Sequence, residues 1–158
     1  MANTQSMVTS FLGELMTATH NFGTAPTRGT GATDTFKAAL YLASATINAA
    51  TTVYSTTGEV TGTNYTAGGI TVTAATAPTA TNSSATAGVA FFTPSASFVY
   101  TTVTLSTAFD CVLVYNSTQS NKAVSVHTFG SQTITAGTFT LTMPANTTTT
   151  ALLRLATT

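Results

Sequence analysis

Eight charged side chains in 158 residues leave this chain little but hydroxyls and amides with which to face water. About a quarter of the residues are threonine, far above ordinary globular usage. Threonine's branched Cβ is stiff and packs well on a pleated surface, so it can coat strands without charge. The chain is therefore expected to be β-rich. Low charge alone does not imply disorder, because the hydrophobic fraction is an ordinary 43%. Lys37, Lys122, Arg28 and Arg154 balance Glu14, Asp34, Glu59 and Asp110, giving a formal net charge of zero. Two lysines and two arginines, scattered along the chain, cannot build a stripe that neutralises phosphates, so neither nucleic acid nor an acidic membrane is an expected partner. Near-zero net charge promotes association, which predicts that much of the surface is covered in an assembly.

The length suits one domain that buries about two-thirds of its unfolded surface. Cys111 is the lone cysteine, so no internal disulfide exists. The run from Cys111 to Tyr115 reads as a buried strand, which makes the thiol packing rather than a reagent. No segment has the unbroken apolar length of a membrane-spanning helix. The first six residues lack the positive cluster of a secretory signal, so synthesis and assembly in a cytoplasm are expected.

Met7, Val8, Phe11, Leu12, Leu15 and Met16 recur at helical spacing, which predicts one amphipathic helix over roughly 5–20. Asn3, Thr4 or Ser6 could cap its start and Gly23 its end. Segment 1–23 is thus read as helical, 24–34 as a Gly-, Pro- and Thr-rich linker, and 35–158 as the β domain. From Thr35 the period becomes two, with Phe36, Ala38, Leu40 and Leu42 on one face and Lys37, Ala39, Tyr41 and Ala43 on the other. Segments 60–65 and 70–73 flank paired glycines, Gly68 and Gly69, and read as a hairpin. An uncharged loop is expected over 74–88. Short strands follow at 89–93, 97–105, 110–115, 123–129, 131–135, 138–143 and 151–155, with turns at 116–121, Gly130, Ala136-Gly137 and 144–146. Thr101, Thr102, Thr104, Thr138, Thr140 and Thr142 alternate with apolar residues, leaving strand edges with few lysines to protect them. The expected architecture is an antiparallel β-sandwich, with a jelly roll as one form of it, preceded by the helix.

Candidate chemistry is sparse. His20 and His127 have no His, Cys or carboxylate at metal-ligand spacing, so neither metal nor cofactor is expected. His127 reads as an exposed or cross-strand polar residue, and His20 as a helix-end residue. Helix surface, strand start, turn and strand start account for Glu14, Asp34, Glu59 and Asp110, with none in the paired arrangement that glycoside hydrolysis requires. Asn64, Asn82, Asn116 and Asn146 begin glycosylation-like triplets but read as turn asparagines. No enzymatic activity is expected.

Five runs, MVTSFLGEL (7–15), DTFKAALYL (34–42), TGEVTGTNYTAGG (57–69), AFDCVLVYN (108–116) and FGSQTITAG (129–137), together span most of the chain. In them the sequence resembles a family of small virion structural proteins of tailed bacteriophages. The resemblance implies a virion component and no catalytic residues. Within a particle, a small β domain with an amphipathic helix suits a capsid cement or decoration protein bound to the major capsid protein. The expected interface is the helix face of Met7, Phe11, Leu12, Leu15 and Met16, the alternative being that this face covers a sheet of its own subunit. A homo-oligomer is expected, a trimer by analogy with decorated shell three-folds. The alternatives are a tail, fibre or head-to-tail component, or a carbohydrate-binding adhesin using loop tyrosines and asparagines.

Overall fold

The structure is a computed structural model that describes residues 3–16, 18–22, 33–73, 78–81 and 88–156. It is mainly β, with two antiparallel sheets in a sandwich-like arrangement and one short helix near the N-terminus. The strands are β1 (Ser6–Met7), β2 (Phe36–Leu42), β3 (Ile70–Thr71), β4 (Thr79–Thr81), β5 (Val89–Phe92), β6 (Phe98–Asn116), β7 (Lys122–Leu141) and β8 (Leu153–Ala156), and the helix is α1 (Thr9–Met16). The larger sheet runs β1-β7-β6-β2-β3 and the smaller β4-β5-β8.

The core lies where β2, β6 and β7 meet. Ala38, Ala39, Leu40 and Tyr41 are fully buried on both faces of β2, because that strand sits inside the sheet with material on either side. Leu105, Phe109, Val112 and Leu113 of β6 and Val124 and Val126 of β7 complete it. A stack of Phe22 on Phe36, with ring centroids 4.3 Å apart, and a contact of Phe22 with Phe92 at 5.3 Å join the N-terminal segment to β2 and to the smaller sheet.

Several expected boundaries are corrected. The helix covers Thr9–Met16 rather than 5–20, because Ser6 and Met7 pair with Val126 and Ser125 as a strand. Its first amides are satisfied by the body of the protein, with Val8 N donating to Val124 O and Thr9 N to Ala49 O. Asn3 does not cap the helix. It donates to Leu42 O and Asp110 Oδ1 and accepts from Ile47 N, which places Asp110 inside β6 rather than at a strand start. Ala18, at φ 54°, turns the chain after the helix, with its amide bonded to Leu15 O. The expected cap, Gly23, and all of the expected linker but Thr33 and Asp34 lie outside the described residues.

The two strands expected at 97–105 and 110–115 form one, β6, and the three expected at 123–129, 131–135 and 138–143 form β7. Gly130 and Ala136-Gly137 are therefore not turns. They lie inside a bent strand whose register against β6 shifts repeatedly between Tyr100 and Cys111, with Thr102 and Ala136 at positive φ. An extra residue in one strand bends the ladder without ending it. The hairpin over 60–65 and 70–73 is also absent: only Ile70–Thr71 forms a strand, paired with β2. Gly69 has φ 70°, and a Cβ on it would stand 1.8 Å from Ala38 O, so the turn is pressed directly onto β2. Within the expected 74–88 loop, Thr79–Thr81 pairs with β5 as β4.

Candidate functional site

The structure divides the expected interface. Phe11 is 2% exposed and part of the core, while Met7 and Leu15 are partly buried against it. Leu12 and Met16 point away, 45% and 89% exposed. Spaced i, i+4, they form a short apolar stripe on the outer side of α1. The helix thus covers its own sheet with one face and shows two large apolar side chains with the other.

Behind α1 lies a polar chain that the sequence did not disclose. Glu14 faces inward, with Lys122 Nζ 2.5 Å from Oε1 and His20 Nε2 2.7 Å from Oε2. Burial raises the Glu14 carboxyl, but the bonds from Lys122 and His20 outweigh it and hold the group below the usual carboxylate range. The His20 side chain is fully buried, between the rings of Phe11, Phe22 and Phe36. Its Nδ1 meets Asn116 Nδ2 at 3.1 Å, and Asn116 Nδ2 also donates to Asp34 Oδ2 at 2.7 Å. Asp34 further accepts from Asn21 N and Gln119 Nε2. Residues from α1, the segment after it, β2's approach and the β6–β7 turn are tied together here.

A second cluster surrounds Glu59, which is 5% exposed and far from a surface turn role. Its Oε2 accepts from Tyr54 at 2.6 Å, and its Oε1 accepts from Tyr65 and from Gly68 N, each at 2.7 Å. All five tyrosines of the chain converge on this region. Tyr115 donates to Gly68 O, Tyr100 to Ala38 O and Tyr41 to Ser55 O. Burial pushes every one of these phenols up, Tyr115 to about 12, and the Glu59 carboxylate adds to each rise. The tyrosines that an adhesin would offer to a sugar are committed to internal bonds. Tyr54, Tyr65 and Gly68 lie within nine residues of Glu59, but Tyr41 arrives on β2 and Tyr100 and Tyr115 on β6, which local spacing does not show.

A cleft of about 330 Å³ between β1, β7 and the approach to β8 holds Ser125, His127 and Arg154. Ser125 Oγ is 2.8 Å from His127 Nε2. Loss of solvent pushes the half-buried imidazole down to about 4, so it is neutral at pH 7. A serine beside a neutral imidazole resembles half of a nucleophilic dyad, yet Ser125 is 1% exposed and, among the described residues, no carboxylate bonds to the ring. Cys111 is fully buried, and burial pushes its thiol up to about 12, first by desolvation and then by the charge of Asp110. An apolar groove of about 100 Å³ is lined by Phe11, Leu15, Phe22, Phe91, Phe92 and Leu153.

Among the described residues no three His, Cys, Asp or Glu side chains gather as a metal site, and no helix is long and apolar enough to cross a membrane. No protein-family model matches this sequence, and no curated protein or solved structure is similar enough to it to count as a match.

Proposed function

We propose that this chain is a non-enzymatic structural protein of a bacteriophage particle, a capsid cement or decoration protein that binds the major capsid protein and self-associates on the shell. The observation that carries the reading is the outward stripe of Leu12 and Met16 on a helix whose other face is fixed in the core. Such an element presents apolar contact on a rigid support, at little cost in ordering. Two features support it further. Glu14, His20, Asp34, Glu59 and the five tyrosines are bonded within the fold, and the motif runs of the sequence resemble those of small virion proteins.

The test is direct. Purified particles of the virus encoding the chain are compared with particles lacking it, and its copy number is measured against the major capsid protein. Hundreds of copies, lost when Leu12 and Met16 are both changed to Asp in a protein that still folds, are the expected result. A dozen copies or fewer would place it in the tail or at the head-to-tail joint instead. Absence from the particle would overturn the reading.

A further inference from the structure

We propose that His20 and Asn116 form an acid-sensitive latch that holds the N-terminal segment against the β6–β7 turn. The argument is a count of donors and acceptors. Asn116 Oδ1 accepts from the amides of Thr118, at 3.1 Å, and Gln119, at 3.2 Å. Those two bonds fix which way the side-chain amide faces, so Nδ2 is the atom turned toward His20 and Asp34. One of its hydrogens goes to Asp34 Oδ2, and the other reaches His20 Nδ1. Nδ1 must therefore be an acceptor, and the ring carries its proton on Nε2, which donates to Glu14 Oε2 at 2.7 Å. With a neutral His20, both ring nitrogens and the Asn116 side-chain amide are matched donor to acceptor.

Acid changes the count. A proton added to Nδ1 sets two donors against each other at 3.1 Å inside a buried site. The rings of Phe11, Phe22 and Phe36 pack against the imidazole. The charged groups that face it are Glu14 from α1, which is also held by Lys122 of β7, and Asp34 ahead of β2. Attraction to Glu14 keeps the imidazolium in place within its own segment. What gives way is the bond to Asn116, and with it the Asp34 and turn contacts that Asn116 organises. Reversing the Asn116 amide is no remedy, because it would oppose Nδ2 to the amides of Thr118 and Gln119 and Oδ1 to Asp34. The latch belongs to the isolated chain and does not depend on the particle role.

The experiment uses the unmodified full chain. Long-range ¹H–¹⁵N NMR of the His20 ring near pH 7.5 reads the tautomer, with the Nε2–H form expected. Amide exchange corrected for intrinsic rate is then compared between about pH 7.5 and about pH 5.5. The amides of Asn21, Thr118 and Gln119 should lose roughly tenfold in protection, the worth of one buried hydrogen bond, while Val8, bonded to Val124 O, keeps its own. His20→Gln, which cannot gain a proton, should abolish the step. A proton on Nδ1 at neutral pH, or unchanged protection of those three amides in acid, would overturn the proposal.

Discussion

A carboxylate can sit among buried phenols only while its oxygens are matched by donors, and Glu59 has three of them. Glu59→Ala removes the acceptor and strands two phenolic hydroxyls and the Gly68 amide together. The expected loss is about 3 kcal/mol by urea denaturation, from unsatisfied groups that cost on the order of 1 to 3 kcal/mol each, relieved in part by water entering the gap. Glu59→Gln, whose carbonyl still accepts, should lose clearly less, and equal losses would remove the hydrogen-bond account. His127 makes a prediction with a definite sign. Its imidazole titrates near 6.5 in the unfolded chain and about 4 in the fold, so the unfolded chain binds more protons between those values. Stability should be unaffected above about pH 6.5, fall as the pH drops through that window and level off below about 4, by at most about 3 kcal/mol. His127→Asn should flatten that part of the profile, and an unaltered slope would show that other groups produce it.

Element by element, the short helix best separates packing from surface. Phe11→Ala should cost about 3 to 5 kcal/mol, as truncation of a fully buried phenylalanine does, while Leu12→Ala and Met16→Ala should each stay within about 0.5 kcal/mol. Equal losses at all three positions, read from thermal or urea melts, would mean that α1 does not sit as described. Helical spacing of apolar residues was legible in the sequence, but it could not say which of the six would be covered. That depends on the sheet the helix meets. The strand content was legible for a similar reason, since alternation shows directly in Phe36 to Leu42 and around Phe139. Bulges were not, because one inserted residue shifts the alternation in the same way as a turn does. Gly130 and Ala136-Gly137 therefore read as breaks between strands although they lie within β7. The paired glycines misled differently. Gly69 is glycine because the backbone of β2 lies against it, a fact about a contact 31 residues away in sequence from Ala38. The bond of Lys122 to Glu14 was hidden by distance along the chain, whereas Tyr54, Tyr65 and Gly68 lie close to Glu59 in sequence but show no periodic pattern that would reveal their bonds to it.

At the scale of the whole molecule the scarcity of charge acquires a structural meaning. Lys122 and Glu14 bond to each other, Asp34 to Asn21, Asn116 and Gln119, Glu59 to phenols and an amide, and Asp110 to Asn3. Five of the eight charges, Glu14, Asp34, Glu59, Asp110 and Lys122, are fastened in the fold's polar joints, while Arg154 is exposed. Among the described residues no strand pairs with the edge of β7 opposite β6 beyond Val126, and the stretch from Thr128 to Leu141 carries no charge. Repeated shifts of register bend that edge, which is one way a protein keeps an open strand from pairing along its length. Contacts between copies should then come from apolar and hydroxyl surface rather than from charge or a long added strand. Salt discriminates between these. Screening at 1 M sodium chloride shortens the reach of charge to about 3 Å, so a charge-driven oligomer would dissociate, whereas one held by uncharged surface should persist and tighten in sulfate. Sedimentation equilibrium near the isoelectric point of about 6.7 should show association that sodium chloride does not weaken. Dissociation by salt, or a monomer at every salt and pH tested, would defeat the link from low charge to assembly.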